Sequence, residues 1–176
     1  TWEQFAKVAV KNHFHSTMNP LAQYQKETPL EDVLNSRMIA YPNTLLMCCP
    51  TGDGAAAAIL CSAKKARQLT SKPVWVVASA LTSDPWTQRD LTCPDINTLT
   101  REAARQAYEQ AGLGPKDLDL VELHDCFATA ELLHYENLGL CGEGEAGRMI
   151  DEKKTYLGGE IPVNVSGGLL SKGHPL

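Results

Sequence analysis

The sequence lacks the features that mark membrane proteins and nucleic-acid-binding proteins. No apolar run approaches the roughly 18 residues that span a bilayer, and no charged and then apolar leader opens the chain. Lysine and arginine (16) are outnumbered by aspartate and glutamate (21), and the formal net charge of -5 offers no attraction to DNA, RNA or anionic lipid. We therefore expect a soluble, intracellular protein that contacts neither nucleic acid nor membrane.

The spacing of cysteines and histidines gives no sign of a disulfide framework or a metal site. The six cysteines, at positions 48, 49, 61, 93, 126 and 141, include no C-x-x-C pair, so reduced thiols are expected. Cys48 and Cys49 can in principle form a vicinal redox pair, but on a strand they face opposite ways, which favours core packing. His13 and His15 point apart on a helix without a nearby third ligand, which favours packing or a ligand contact over metal.

One stretch, residues 118–131, carries the strongest chemical signal. Alternating apolar residues predict a short buried strand, and helical spacing from Phe127 predicts a helix after it. His124, Asp125 and Cys126 then lie on a strand-to-helix turn, with Asp125 as the N-cap and Cys126 in the first helical turn, where the helix dipole favours thiolate. Such a pair suits proton transfer or nucleophilic attack, and a capped helix with inert packing is an equally open interpretation.

A second turn lies near the end of the chain. A short strand at 161–165 precedes a segment in which Gly167, Gly168 and Gly173 let the backbone approach another group closely, and His174 is held between Gly173 and Pro175. The glycine spacing does not fit a P-loop. Two histidines that each follow a strand can converge at one sheet edge, although they are far apart in the chain.

The remaining pattern alternates strands and helices, as in an α/β fold. A capping box of Thr1 and Gln4 starts the first helix, and Thr28, Pro29 and Glu31 cap and start the second. An irregular connection at 81–97 is long enough to suggest a function or contact with another subunit. The predicted helices span 2–14, 29–34, 63–69 and 100–111 (with Gly112 after its last turn), and the predicted strands span 44–49, 55–60 and 74–78.

Three segments together resemble a known family. They are His124-Asp125-Cys126-Phe127, the run from Gly167 to Leu176, and Pro50-Thr51-Gly52-Asp53-Gly54 with the alanines after it. They are similar to the thiolase superfamily, and specifically to the thiolase domain of the sterol carrier proteins, which has His-Asp-Cys-Phe where ordinary thiolases resemble Asn-Glu-Ala-Phe. The amide-rich stretch from Asn12 to Pro20 also resembles this branch.

The resemblance implies a thiolase-like layered α/β fold, truncated at both ends. Residues 1–43 would be a piece of the cap or loop domain, 44–72 the last strands of the N-terminal half, and 73–176 an incomplete C-terminal half. The acyl-carrying cysteine of the family would lie before Thr1 and its last glycine-rich loop after Leu176. None of the other cysteines here should therefore be assigned that role, and the 176 residues alone should be inactive.

The resemblance also implies a function, a 3-oxoacyl-CoA C-acyltransferase in fatty-acid or sterol side-chain oxidation. His174 would stabilise the oxyanion and activate the nucleophile, His124 would support the same oxyanion, and Cys126 would act as acid and base. Coenzyme A would be a co-substrate with no further cofactor, the full-length protein a homodimer, and the location a peroxisome or a bacterial cytoplasm. Two alternatives stay open, a retro-aldol lyase and a non-catalytic lipid-binding or scaffold relative. We predict that the substrate contacts Gly167, Gly168 and Gly173.

Overall fold

The structure, a computed structural model, describes residues 1–83 and 98–175. Its helices are α1 (Trp2–Ser16), α2 (Leu30–Asn35), α3 (Ala63–Leu69), α4 (Thr98–Ala111), α5 (Ala128–Asn137), α6 (Ala146–Asp151) and α7 (Gly168–Lys172). Its strands are β1 (Met38–Ala40), β2 (Asn43–Thr44), β3 (Thr51–Gly52) and β4 (His174–Pro175), with 3-10 turns at Leu45–Met47 and Pro115–Asp117. β1 pairs with β2 antiparallel, and β3 pairs with β4 parallel.

Helix α1 is the centre of the packing. The predicted capping box of Thr1 and Gln4 is confirmed, and the helix runs two residues beyond the expected end. Its small apolar side chains Ala6, Val8 and Ala9 are fully buried, and α2, α5, α6 and α7 all pack against it. Its C-terminal half is also buried although it is polar, so the groups there need hydrogen-bond partners inside the protein.

The other predicted helices are present with small changes. α3 has the predicted bounds, and α4 begins two residues early and ends before Gly112, which has φ +65°. α2 begins at Leu30 and not at Pro29, and Thr28 is not its N-cap residue, so the predicted capping arrangement there was wrong. Pro29 itself is the N-cap residue, and no side chain caps the helix.

Two predicted strands, 55–60 and 74–78, were wrong. Both segments have no regular secondary structure, and their apolar side chains face solvent, with Ile59 at 93% and Val74 at 95% exposure. A strand forms only where a neighbouring strand completes its hydrogen bonds, and no described residue pairs with either segment. The composition of both segments therefore favours a β-strand, but no described residue provides the neighbouring strand that it would need.

Three other predicted strands are shorter than expected. The segment 44–49 becomes the end of β2, a 3-10 turn and a single bridge from Cys48 to Phe127. The segments 118–123 and 161–165 contact each other through one parallel bridge, Val121 to Val163. The Val121–Val163 bridge therefore joins the two segments that precede the motif turns, and the Cys48–Phe127 bridge joins the segment 44–49 to the end of the first turn.

The domain boundaries of the sequence analysis stay a prediction. Most of the predicted connection at 81–97, including Cys93, lies outside the described residues, as does Leu176. Within the described ranges, no helix combines the length and the apolar character needed to cross a bilayer.

Candidate active site

The two motif turns meet. The ring centroids of His124 and His174 are 5.1 Å apart with an interplanar angle of 84°, so the edge of one imidazole faces the other. His124 is exposed and His174 is half-buried. The Nδ1 atom of His174 is buried and has no hydrogen-bond partner among the described residues. The predicted convergence is therefore observed, while the catalytic roles of the two residues stay predictions.

A short extended segment, Cys48 to Gly52, joins the two turns. The backbone N–H of Cys49 donates to the carbonyl of Cys126 over 3.0 Å. One residue later, the carbonyl of Pro50 accepts from the N–H of His174 over 3.2 Å, next to the β3–β4 pairing. Cys49 is thus a member of the site that sequence reasoning assigned to core packing. The sequence could not indicate this role, because two adjacent cysteines do not show which other segment their backbone will hydrogen-bond to.

The sequence predicted that Asp125 caps the helix that follows it, and this prediction was wrong. α5 begins at Ala128 with Phe127 as its N-cap, and no side chain caps it. The fully buried Asp125 instead accepts hydrogen bonds from the backbone amides of Leu169 (2.6 Å) and Leu170 (3.4 Å), in the first turn of α7. Asp125 therefore caps a helix that lies more than forty residues away in the chain.

Cys126 lies outside the helix, which corrects its predicted electrostatics. It precedes Phe127, the N-cap residue, and so it is not in the first turn of α5. Burial raises the pKa of the Cys126 thiol, and the nearby carboxylate of Asp125 raises it further. The resting form is the thiol, because the dipole effect that was expected to favour thiolate is confined to the first turn.

A buried polar network lies directly behind the two turns. Lys11 and Glu131 form an ion pair of 2.6 Å in which both side chains are fully buried. The Asn12 amide donates to Asp125 (2.8 Å) and to Glu131 (2.7 Å), so it joins two carboxylates. Asn164, at φ +54°, donates to Glu131 over 2.8 Å and accepts from the N–H of Leu123 over 2.9 Å.

This network perturbs the titration of its carboxyl groups. Burial raises the pKa of Asp125 to about 8, and the charge of Glu131 contributes to the rise. Tyr135, which donates a short hydrogen bond to Glu131, has its pKa raised for the same two reasons. One buried ammonium group, on Lys11, faces two buried carboxyl groups, so the cluster carries excess negative charge when both are ionised.

The glycines predicted to contact substrate approach other parts of the chain. A Cβ on Gly167 would lie 2.6 Å from the Cβ of Ser16, and one on Gly168 would lie 2.1 Å from a carboxylate oxygen of Asp125. Gly173, at φ +116°, faces Gln23. The first two glycines thus let α7 pack closely on α1 and on the His124 turn. Substrate contact by any of the three stays a prediction.

The two histidines of α1, His13 and His15, are both buried, and His15 is held by hydrogen bonds. The Nδ1 atom of His15 lies 3.0 Å from the carbonyl of Asn164, while its Nε2 accepts from the N–H of Leu157. This pair of contacts assigns the Nδ1–H tautomer. The ring of His13 packs on Tyr24 with centroids 5.6 Å apart. No cluster of potential metal ligands occurs in the parts of the chain that the structure describes.

His134 is a neighbour of the site that the sequence analysis overlooked. It lies on the face of α5 that also carries Glu131, three residues earlier. Burial lowers the pKa of His134, and electrostatic repulsion by the nearby His124 side chain lowers it further. The helical spacing from Phe127 could have placed His134 on the same face as Glu131. Its proximity to the site, however, depends on the fold and could not be predicted from the spacing alone.

A groove opens beside His174. Its volume is about 610 Å³, and its walls include Gly54, Leu169 and Lys172. The exposed Lys172 places a positive charge at the rim of a space large enough for part of an elongated ligand. A second groove of about 480 Å³, between α1 and α6, contains none of the predicted catalytic side chains.

Comparison with known proteins agrees with this geometry. Sterol carrier protein 2 of Rattus norvegicus is 48% identical over 99% of this chain and 33% of its own length. An acetyl-CoA acetyltransferase of Methanothermobacter thermautotrophicus is 48% identical over 100% of this chain and 46% of its own length. The solved structure of an Ltp2-ChsH2(DUF35) aldolase superposes with a TM-score of 0.85 at 32% identity, over 99% of this chain and 47% of that one.

The chain thus spans a third to under half of the proteins that it resembles. Residues 80–176 match the family described as thiolase C-terminal domain-like. That match confirms the resemblance carried by the two motif turns and the mixed α/β fold class. The chain belongs to the thiolase C-terminal domain-like family.

Proposed function

We propose that this chain forms part of an acyl-CoA C-acyltransferase, a 3-oxoacyl-CoA thiolase of the sterol carrier protein type. The observation that carries the proposal is the contact between His124 and His174, whose ring centroids are 5.1 Å apart, with His174 lining a groove. Two imidazole rings this close together can present N–H groups to the same oxygen atom of a bound acyl group. Such donors are worth roughly 3 to 4 kcal/mol each in stabilising an oxyanion.

The protonation state of Cys126 fits a defined step. Cleavage of a 3-oxoacyl-CoA breaks the bond between the α and β carbons and leaves a carbanion on the departing acetyl-CoA. Because burial keeps Cys126 as the thiol, it can donate its proton to that carbon. The resulting thiolate then takes a proton from the thiol of incoming coenzyme A, which attacks the acyl-enzyme and returns Cys126 to its starting form.

The acyl-carrying cysteine is assigned by resemblance to sequence outside these residues. We therefore expect no turnover of 3-oxoacyl-CoA by the 176-residue chain alone. Coenzyme A is the co-substrate, without a metal or a further cofactor. The full-length protein is expected to be a homodimer that acts in fatty-acid or sterol side-chain β-oxidation, in the peroxisome of a eukaryote or the cytoplasm of a bacterium.

Substitution of Cys126 in the full-length protein tests the proposal. Cys126→Ala should abolish carbon-carbon cleavage of a 3-oxoacyl-CoA but slow thioester exchange between acyl-CoA and enzyme far less, because exchange forms no carbanion and coenzyme A can lose its thiol proton to solvent. His174→Ala should slow both reactions by roughly two to three orders of magnitude, as expected for a lost oxyanion donor. The exposed Cys61 provides a matched control, Cys61→Ala, with full activity expected. Undiminished cleavage by Cys126→Ala would reduce Cys126 to a packing residue.

A retro-aldol carbon-carbon lyase acting on a sterol-CoA side chain is the second candidate. It is favoured by the superposition with the Ltp2-ChsH2(DUF35) aldolase. Aldol cleavage needs a base for a hydroxyl group and has no acyl-enzyme, so the thiol of Cys126 supports the thiolase. Assays with matched 3-oxo and 3-hydroxy acyl-CoA substrates separate the two. Turnover of neither by the full-length protein would favour the third alternative, a non-catalytic lipid-binding or scaffold protein.

A further inference from the structure

The geometry points to Asp125 as the positioning residue that holds His174 against His124. Its carboxylate fixes the first turn of α7 to the His124 turn, and α7 leads directly into His174. This inference rests on the proposed function for its catalytic consequence, although the positioning itself can be measured without any activity. Asp125 bonds to backbone amides of α7 and to Asn12, so it acts through the backbone on which both imidazoles are mounted.

The contact between Asp125 and α7 is close on every side. One carboxylate oxygen accepts from the amide of Leu169 over 2.6 Å, and the other accepts from Leu170 and from the side chain of Asn12. Gly168 comes so near that a Cβ there would lie 2.1 Å from the carboxylate. α7 can therefore sit at this distance only because residue 168 has no side chain.

The path from Asp125 to His174 is short and stiff. α7 has five residues, and the N–H of Gly173 closes its end on the carbonyl of Leu169, the residue that Asp125 holds. The N–H of His174 then bonds to Pro50. His124 is the residue immediately before Asp125. The Asp125 carboxylate is therefore close to His124 along its own backbone and is linked to His174 through α7, so it influences the positions of both rings.

The other side of Asp125 is fixed from α1. Asn12 donates to Asp125 and to Glu131 through the same amide nitrogen, and Lys11 neutralises Glu131 over 2.6 Å. Each of these groups is fully buried. Asp125 therefore cannot shift toward solvent, and any movement of α7 must break a hydrogen bond to a fixed partner.

Asp125→Asn in the full-length protein is the primary test. The variant keeps one acceptor oxygen for Leu169, but its NH₂ group must face the donors of Asn12 and Leu170. The hydrogen bonds that hold α7 to the His124 turn are therefore weakened, while the side chain keeps its size. We expect kcat to fall by roughly 10- to 100-fold with KM within about 3-fold, because misplacement of catalytic groups by about 1 Å costs up to 10²-fold. Asp119→Asn, an exposed aspartate on the same segment, should leave both parameters unchanged.

A second measurement follows the positions of the rings directly. With histidines selectively labelled with ¹³C, the ring protons of His124 and His174 should show a mutual NOE in the unaltered protein. The NOE should be lost or strongly reduced in Asp125→Asn and retained in Asp119→Asn. If Asp125→Asn does not fold, Gly168→Ala tests the same contact from the α7 side with the same two readouts.

The outcomes separate the two proposals. An unchanged NOE and unchanged kcat in a folded Asp125→Asn overturn the positioning role, as does a fall in activity with the NOE intact. An unaltered protein that does not cleave 3-oxoacyl-CoA, but whose NOE depends on Asp125, refutes the proposed function and supports the positioning. Return of both the NOE and kcat when aspartate is restored at position 125 assigns the loss to that one carboxylate.

Discussion

The buried ion pair between Lys11 and Glu131 gives the sharpest prediction about stability. In Lys11→Met, a side chain of similar length fills the same space, but the buried carboxyl group of Glu131 loses the ammonium group 2.6 Å away. The carbonyl of Val163 also loses the donor that now lies at 2.7 Å. Breaking a fully buried pair by removing one partner costs about 3 to 5 kcal/mol, because the remaining charge cannot return to water. We expect this loss in the free energy of unfolding of the full-length protein.

The same helix supplies the control. Lys7 lies one turn earlier and pairs with Glu3 and Asp151, but its side chain is 33% exposed. Lys7→Met should cost at most about 1 kcal/mol, as is usual for exposed pairs. Urea titration with comparable m values gives both quantities. The double variant Lys11→Met/Glu131→Gln should be more stable than Lys11→Met alone. Equal losses for the Lys7 and Lys11 variants would refute the reasoning that burial makes the difference.

Two further predictions concern packing and pH. Gly167→Ala should destabilise the protein by a few kcal/mol more than Gly158→Ala, because both have φ near +90° but only a Cβ at 167 meets another atom, Ser16 at 2.6 Å. Equal urea midpoints would contradict this. Burial lowers the pKa of His13 below its usual 6.5, so the folded protein binds that proton less tightly than the unfolded chain does, and stability falls as the pH drops below about 6.5. His13→Phe should reduce this acid sensitivity between about pH 7 and 5, and parallel pH profiles of unfolding would contradict it.

Much of the site could be predicted from the sequence because its turns have strong local signals. Gly173 permits the positive φ before His174 and Pro175 restricts the backbone after it, and the Thr1–Gln4 capping box needs only residues within one turn of α1. The convergence of His124 and His174 followed from the placement of each imidazole after an extended segment. Local chemistry and the family resemblance were sufficient for these features.

The contacts of Asp125 could not be predicted in the same way. Aspartate before a helix is usually its N-cap, yet here the carboxylate turns inward and bonds to α7, a partner distant in sequence. The position of Cys126 follows from that choice, since the helix then starts at Ala128 and the thiol loses the first-turn dipole. Tertiary contacts decided a question that local propensity answered wrongly.

The predicted strands at 55–60 and 74–78 failed for a different reason. Val74 and its neighbours have the β-branched composition of a central strand, but a sheet position requires hydrogen-bonding partners on both sides. Composition shows that a segment is suited to a β-strand, but it does not show whether a neighbouring strand is present. Lys11 shows the opposite case, because a lysine pattern typical of an exposed helix face gave no hint of a fully buried ammonium group.

The segment from Cys48 to Gly52 has a consequence for how the groove beside His174 could vary. It reaches Cys126 and His174 through main-chain atoms, so the identity of its side chains has little influence on the gap between the imidazoles. Its length has a large influence, because insertion of a single residue after Cys49 would reverse the alternation beyond it and offset Pro50 from His174. Side-chain substitutions at Cys48 and Cys49 should therefore leave the two rings in contact, whereas an added or deleted residue should separate them.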